Sequence, residues 1–191
     1  MSDDIKVDKE LVGQLIDGTV ADSDATRLLK MAHKDKDRFF KYIEALQERV
    51  SWPEKILLRL GDKLYIVRGS GNSRVVKCTC GHEFGDYREN WKLRCKIRTR
   101  KTQQEMDQVY DPAPAVPQAG IQEIREFFCP ECATQHAVEV VAPGYPIVFE
   151  MLPDLDKFYR DYMDAPLPDE SPEWYADHSH KVTASWSENK Q

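Results

Sequence analysis

Four cysteines stand in two close pairs, Cys78-Thr79-Cys80-Gly81-His82 and Cys129-Pro130-Glu131-Cys132. When a fold brings two such pairs together, four thiolates can form a tetrahedral sulfur site, the geometry that zinc adopts in closed structural centres. In extended backbone, residues i and i+2 point to the same side about 6.6 Å apart, so Cys78 and Cys80 can converge on one ion. Cys129 and Cys132 have the more usual two-residue spacing, and Pro130 stiffens their turn. Gly81 suits the left-handed conformation that closes such a turn, whereas Ala133, in the matching place, is expected to be strained. Backbone N–H groups of these turns can point at the sulfurs and offset their charge. Four sulfurs leave no open position for water or substrate, so the motif speaks first for architecture.

Several readings compete at and around the site. Rubredoxin-like iron would prefer two matched CxxC pairs, which the CxC spacing disfavours. His82 or His136 could replace a sulfur, although each fits a supporting or surface place better. Cys95 lies on the apolar side of an alternating stretch beside Leu93 and Ile97 and reads as a core thiol. On the other side of that stretch stand Lys92, Arg94, Lys96 and Arg98, either a solvated face or a docking surface for an acidic partner. Nucleic acid would want aromatics among these cations, and Trp91 falls on the opposite side. No Ser-His-Asp order, zincin motif, dinucleotide fingerprint or carboxylate pair can be argued, so no residue is a catalytic candidate.

The elements that must position these residues read as an α+β arrangement: N-terminal helices, a small antiparallel β domain with a zinc-ribbon-like four-cysteine site, and a C-terminal helix. The expected divisions are a helical region at 1–52, the β domain at 53–152 with a Pro-rich excursion at 111–119, and a C-terminal helix with an acidic tail at 153–191. The first helix carries Leu11, Val12, Leu15 and Ile16 and stops at Gly18; Ser23 or Asp24 caps the second, with Leu28, Leu29 and Met31. A third follows Asp35, its Phe39, Tyr42, Ile43, Leu46 and Val50 on one face, and Pro53 ends it. From Ile56 the period shortens, and Gly61-Asp62 predicts a two-residue type II′ hairpin loop. Gly69 to Ser73 is a connector, lacking the Lys and Ser/Thr of a phosphate loop. Strands are expected at Arg74–Lys77 and at Trp91–Arg100. Others near Ile121–Phe128 and Thr134–Val141 should bring both cysteine pairs to one end of a small sheet. A short helix at Thr102–Tyr110 and a last helix at Asp154–Met163 complete the set. Beyond Met163 the tail, with Pro166, Pro168, Pro172 and mostly acidic charges, has few buriable residues and should order only against something else.

Composition limits the function classes. The 191 residues are 41% hydrophobic and 31% charged, with a formal net charge of −6. That balance opposes a general affinity for nucleic acid. No apolar stretch is long enough to span a bilayer, and no secretory h-region follows the acidic start. The chain thus reads as cytoplasmic, where paired cysteines serve as metal ligands more often than as disulfides.

Longer stretches carry a resemblance. Arg38 to Arg49 runs into Trp52-Pro53-Glu54-Lys55-Ile56. It is followed by Cys78-Thr79-Cys80-Gly81-His82-Glu83-Phe84, Glu89-Asn90-Trp91-Lys92-Leu93, Phe127-Phe128-Cys129-Pro130-Glu131-Cys132, Gly144-Tyr145-Pro146 and Pro153 to Tyr159. Over about residues 36 to 168 this order resembles the small (gamma) subunit family of bacterial acetone carboxylase. The resemblance implies a complex with two copies each of three subunits that uses ATP to condense acetone and bicarbonate to acetoacetate, releasing AMP and phosphate. It implies that alpha and beta large subunits hold the nucleotide and Mn2+. The small subunit would have no catalytic residue and would hold Zn2+ through Cys78, Cys80, Cys129 and Cys132. Two alternatives are a small subunit acting in a related acetophenone or butanone carboxylase, and a stand-alone zinc-ribbon module that binds nucleic acid.

Overall fold

The computed structural model describes residues 7–110 and 115–188. Part of the Pro-rich excursion (111–114) and the acidic start at 1–4 lie outside the described residues. Runs of helices and of antiparallel strands follow one another as an α+β chain.

The first helix, α1 (Lys9–Asp17), begins where the Asp8 carboxylate accepts from Leu11 N and ends at Gly18 in the left-handed conformation. Helix α2 (Asp22–Lys30) is capped by Ala21 and not by Ser23 or Asp24, which fall in its first turn; none of its side chains is buried. Helix α3 (Arg38–Gln47) stops six residues before Pro53, so the proline does not end it. Gln47 provides the reason. Its amide donates to the Trp52 and Glu54 carbonyls and accepts from Ile56 N, which fixes the turn between helix and strand.

Four strands follow as a meander, β1 (Lys55–Gly61), β2 (Leu64–Arg68), β3 (Arg74–Cys78) and β4 (Glu83–Asp86), in spatial order β1-β2-β3-β4. The first hairpin is closed by Asp62-Lys63, because Gly61 pairs with Leu64. The left-handed residue is Lys63 (φ 55°) and not Gly61. Arg59 holds this loop by donating to Gly61 O and pairing with Asp62 at 2.7 Å. Strand β2 is buried on both faces: Leu64 and Ile66 enter one apolar cluster, Tyr65 and Val67 the other. Helix α3 covers the Tyr65 side with Ile43 and Leu46, and α1 packs behind it through Leu11, Val12 and Ala45.

A second sheet, β5 (Lys96–Arg100), β6 (Glu123–Phe128) and β7 (Gln135–Val141), is antiparallel in the order β5-β6-β7. The two cysteine pairs thus belong to different sheets and not to one. The expected strand at Trp91–Arg100 is also half wrong, since Trp91–Arg94 is a 3-10 turn. Asn90 makes the difference: its side-chain oxygen accepts from Lys92 N while its amide donates to Ile147 O, which favours a capped turn over a ladder. Helix α4 (Gln103–Asp107) starts with a capping box between Thr102 and Glu105 and buries Met106.

Helix α5 (Leu155–Lys157) continues as a π turn at Phe158–Tyr162, and Leu155 and Tyr159 fill the core beside Leu57. The tail then folds back on its own chain, contrary to the expectation from its composition. Trp174 lies 4.5 Å from the Arg74 guanidinium and 4.6 Å from that of Arg88. Tyr87 donates to Trp174 O at 2.6 Å, and His178 N to Arg88 O at 2.8 Å. One tryptophan and a row of polar bonds do what few aliphatic residues could not. Helix α6 (His180–Glu188) follows.

Candidate metal centre

The first knuckle is the β3–β4 connection and the second the β6–β7 connection, so each pair is set by its own hairpin. Locally they are built alike. In the first, Cys78 N donates to His82 O and Gly81 N to Cys78 O; in the second, Cys129 N donates to Thr134 O and Ala133 N to Cys129 O. Both close through a left-handed residue, Gly81 (φ 99°) and Ala133 (φ 57°). The strain expected at Ala133 is therefore present.

All four sulfurs lie within 4.8 Å of one another. Cys78 Sγ stands 3.7 Å from Cys132 Sγ, and Cys80 Sγ 3.7 Å from Cys129 Sγ. Tetrahedral ligation with bonds near 2.3 Å requires S···S edges of about 3.8 Å. The four residues thus fit one ion. All five cysteines are free thiols. Cys78 and Cys129 are fully buried in the core, and Cys80 and Cys132 face outward.

The electrostatics suit anionic sulfur. Backbone N–H groups of Cys80, His82 and Thr134 point at the sulfurs of Cys78, Cys80 and Cys132 respectively. The Thr134 hydroxyl, 3.2 Å from Cys132 Sγ, brings that thiol down to about 6. Burial pushes the Cys78 and Cys80 thiols up, so these two would need a cation to lose their protons readily. A divalent ion shared by all four would supply it.

Three contacts escaped sequence reasoning. Trp52 Nε1 donates to Thr79 O at 3.1 Å and so ties the helical region to the first knuckle. The Lys63 carbonyl accepts from Thr79 N, so the strained β1–β2 loop braces the same turn. Lys96 donates to Pro130 O at 2.9 Å, inside the second knuckle. No spacing rule marks such residues, because each reaches the site from a separate element.

His136 and His82 are not within the sulfur cluster. Their rings stand 5.5 and 4.9 Å from that of Phe84, and His136 also contacts the Asp62 carbonyl through Nδ1. Cys95 packs against the main core, and burial lifts its thiol to about 12.

The four basic residues do not form one face. Lys92 is buried, with Glu139 at 2.6 Å and Glu150 at 3.1 Å. Arg94 pairs with Glu89, and Arg98 lies 3.8 Å from Glu126. Arg94, Lys96 and Arg98 are exposed.

The Ala133 strain is measurable. Ala133→Gly relieves about 1–2 kcal/mol of left-handed crowding against about 0.5–1 kcal/mol of added backbone entropy. A net gain of about 0.5–1 kcal/mol is expected, read as a Tm rise of about 1–3 °C in a thermal melt.

Comparison with known proteins adds what geometry alone does not. A family model described as acetone carboxylase gamma subunit matches residues 50–163, which include both knuckles. The acetone carboxylase gamma subunit of Xanthobacter autotrophicus is 42% identical over 156 residues, covering 81% of this chain and 92% of that protein. The acetophenone carboxylase beta subunit of Aromatoleum aromaticum is 26% identical over 112 residues, covering 58% of this chain and 79% of that protein. Among the described residues no helix is long and apolar enough to cross a membrane. With both cysteine hairpins inside the matched span and the identity sustained beyond it, the chain belongs to the acetone carboxylase gamma subunit family.

Proposed function

We propose that this chain is a non-catalytic, zinc-holding structural subunit of a cytoplasmic acetone carboxylase, the ATP-dependent complex that converts acetone and bicarbonate to acetoacetate with release of AMP and phosphate. The observation that carries the reading is the 42% identity over 92% of a relative of that name. The four-sulfur cluster supports the rest. Filled by Zn2+ it has no open coordination position, so its chemistry is to hold two hairpins together. Five free thiols are consistent with a reducing compartment. The expected partners are alpha and beta large subunits, two copies of each of the three chains, with Mn2+ and the nucleotide in the large ones.

A second reading is favoured by the match to an acetophenone carboxylase subunit. The chain would then serve a complex acting on an aromatic ketone or on butanone. Substrate choice would lie in the large subunits in either case. The test is co-expression with those subunits and assay with acetone, butanone and acetophenone, with and without this chain. Carboxylation of acetone only in its presence, with ATP partial reactions persisting in its absence, is the expected result. Full activity without it would overturn the structural role.

The exposed cations Arg94, Lys96 and Arg98 are proposed as a rim of contact with a large subunit; Lys92, already neutralised inside the chain, would act there by holding the turn. The double variant Arg94→Glu/Lys96→Glu should weaken assembly several-fold at low salt and less at high salt, since rim charges act through screened attraction. Size-exclusion chromatography at two ionic strengths checks it. Unchanged assembly at low salt would return these residues to solvent.

A further inference from the structure

The helical end of the molecule holds a half-open groove of about 470 Å³ whose walls are almost wholly apolar, far from any chemistry assigned above. Val12 and Leu15 of α1, Leu28 of α2, Phe39 of α3 and Met163 after the π turn line it. Its apolar character does not stop at the groove. Tyr162, 70% exposed, stacks on the lining residue Phe158, and Leu29 is 83% exposed on α2, a helix that buries no side chain. A small molecule seated in the groove would leave these exposed residues in water. A polypeptide would cover them.

The rim is mainly basic. Lys34, Lys36 and Arg38 line the groove, all exposed, and among the described residues none has a carboxylate within ion-pair distance. The one acid of the rim, Asp35, is already engaged by Lys41 at 2.6 Å and by Val7 N at 3.1 Å. None of the residues lining the groove belongs to a strand, so no strand edge is offered. An occupant must therefore be recognised through side chains presented at three- and four-residue steps.

We propose that this groove is the docking site for an amphipathic helix of a large subunit, with apolar anchors along one face and acidic residues beside them. This rests on the subunit reading given above. A permanent interface needs a buried apolar centre and a complementary polar rim, and the groove supplies both, with three exposed cations that lack a carboxylate partner although Lys34 and Arg38 bond backbone carbonyls.

The test is co-expression of the complex with three forms of this chain. Leu28→Asp/Met31→Asp places charge inside the groove and should abolish co-purification of the large subunits. Lys36→Glu/Arg38→Glu reverses the rim and should weaken association about tenfold at low salt, with the loss shrinking as salt rises. A photo-crosslinking phenylalanine in place of Leu29 should join to a large-subunit peptide bearing Asp or Glu beside apolar residues, identified by mass spectrometry. Circular dichroism and metal content matching the unaltered chain show that the fold is retained; if the first variant fails this, the rim pair and the crosslink decide. Crosslinking to a second copy of this chain, to no polypeptide, or a lipid retained in native mass spectra would overturn the proposal. So would undiminished assembly of the variants while the unaltered chain assembles, and this leaves the subunit reading standing. Failure of the unaltered chain itself to assemble overturns both.

Discussion

Cys129→Ser should empty the four-sulfur centre and separate the two sheets before it affects any chemistry in a complex. Cys129 is fully buried, and its sulfur belongs both to the four-cysteine cluster and to the main apolar core. The serine oxygen would put a poor zinc ligand in a site whose other three positions are sulfur. Structural zinc in small domains contributes about 10–16 kcal/mol of apparent binding free energy, and part of that is folding free energy. This chain also has helices and a four-stranded sheet, so a partial loss is expected, seen as a fall in Tm of about 10 °C or more. Metal analysis of the native protein should find about one zinc per chain, and none in the variant. The contrast is Cys95→Ala, which removes a packed thiol outside the cluster and should keep the metal at a cost of about 1–2 kcal/mol. Iron at full occupancy, or a Cys129→Ser protein with unchanged metal and Tm, would overturn the assignment.

Arg74→Met should destabilise the chain by about 3–5 kcal/mol, because it takes the guanidinium from Asp156 and leaves Asp169 only its longer contact with Arg68. Arg74 is 1% exposed; it bonds Asp156 and lies 3.3 Å from Asp169. Arg68 stands opposite it across the β2–β3 ladder, a pairing of like charges that Asp169 offsets by reaching both. Burial alone would lower the Arg74 pKa, yet its partners hold it above the usual value. The same side chain meets Trp174, so its loss should also loosen the returning tail. For a chain of this size the destabilisation corresponds to a fall of about 6–15 °C in Tm. Combining Arg74→Met with Asp156→Asn should recover part of it, since one orphaned charge is then removed. A double variant no more stable than the single one would show that packing against Trp174, and not the charges, dominates here.

The cysteine pairs were legible in the sequence because such spacing is a local property: CxC in extended chain and CxxC around a turn each aim two sulfurs without help from the rest of the protein. The left-handed strain at Ala133 was legible for the same reason. So were the amphipathic stripe of α3 and the strands at Arg74–Cys78 and Glu123–Phe128. The alternation from Trp91 to Arg100 misled because a period of two tells which side chains could share a face, not whether the backbone finds a neighbouring strand. Asn90 settles that by capping Lys92 N, and it can do so only where the Ile147 carbonyl arrives from a distant segment.

Charge behaved in the same way. Lys92, Arg94, Lys96 and Arg98 form a row on paper, but in the fold Glu139 and Glu150 take Lys92 inside while Lys96 turns to the Pro130 carbonyl. The acidic tail looked unable to order itself because its composition offers little to bury. The burial comes instead from one aromatic ring set against two arginines on other strands and turns. The sequence by itself determined the family, the four cysteines that cluster and many of the helices and strands, all of which follow from local spacing and residue type. Only the tertiary structure decided that the two knuckles come from separate sheets, that the tail closes over Arg74, and that an apolar groove stays open between the helices. Each of those depends on side chains distant in the chain meeting in space.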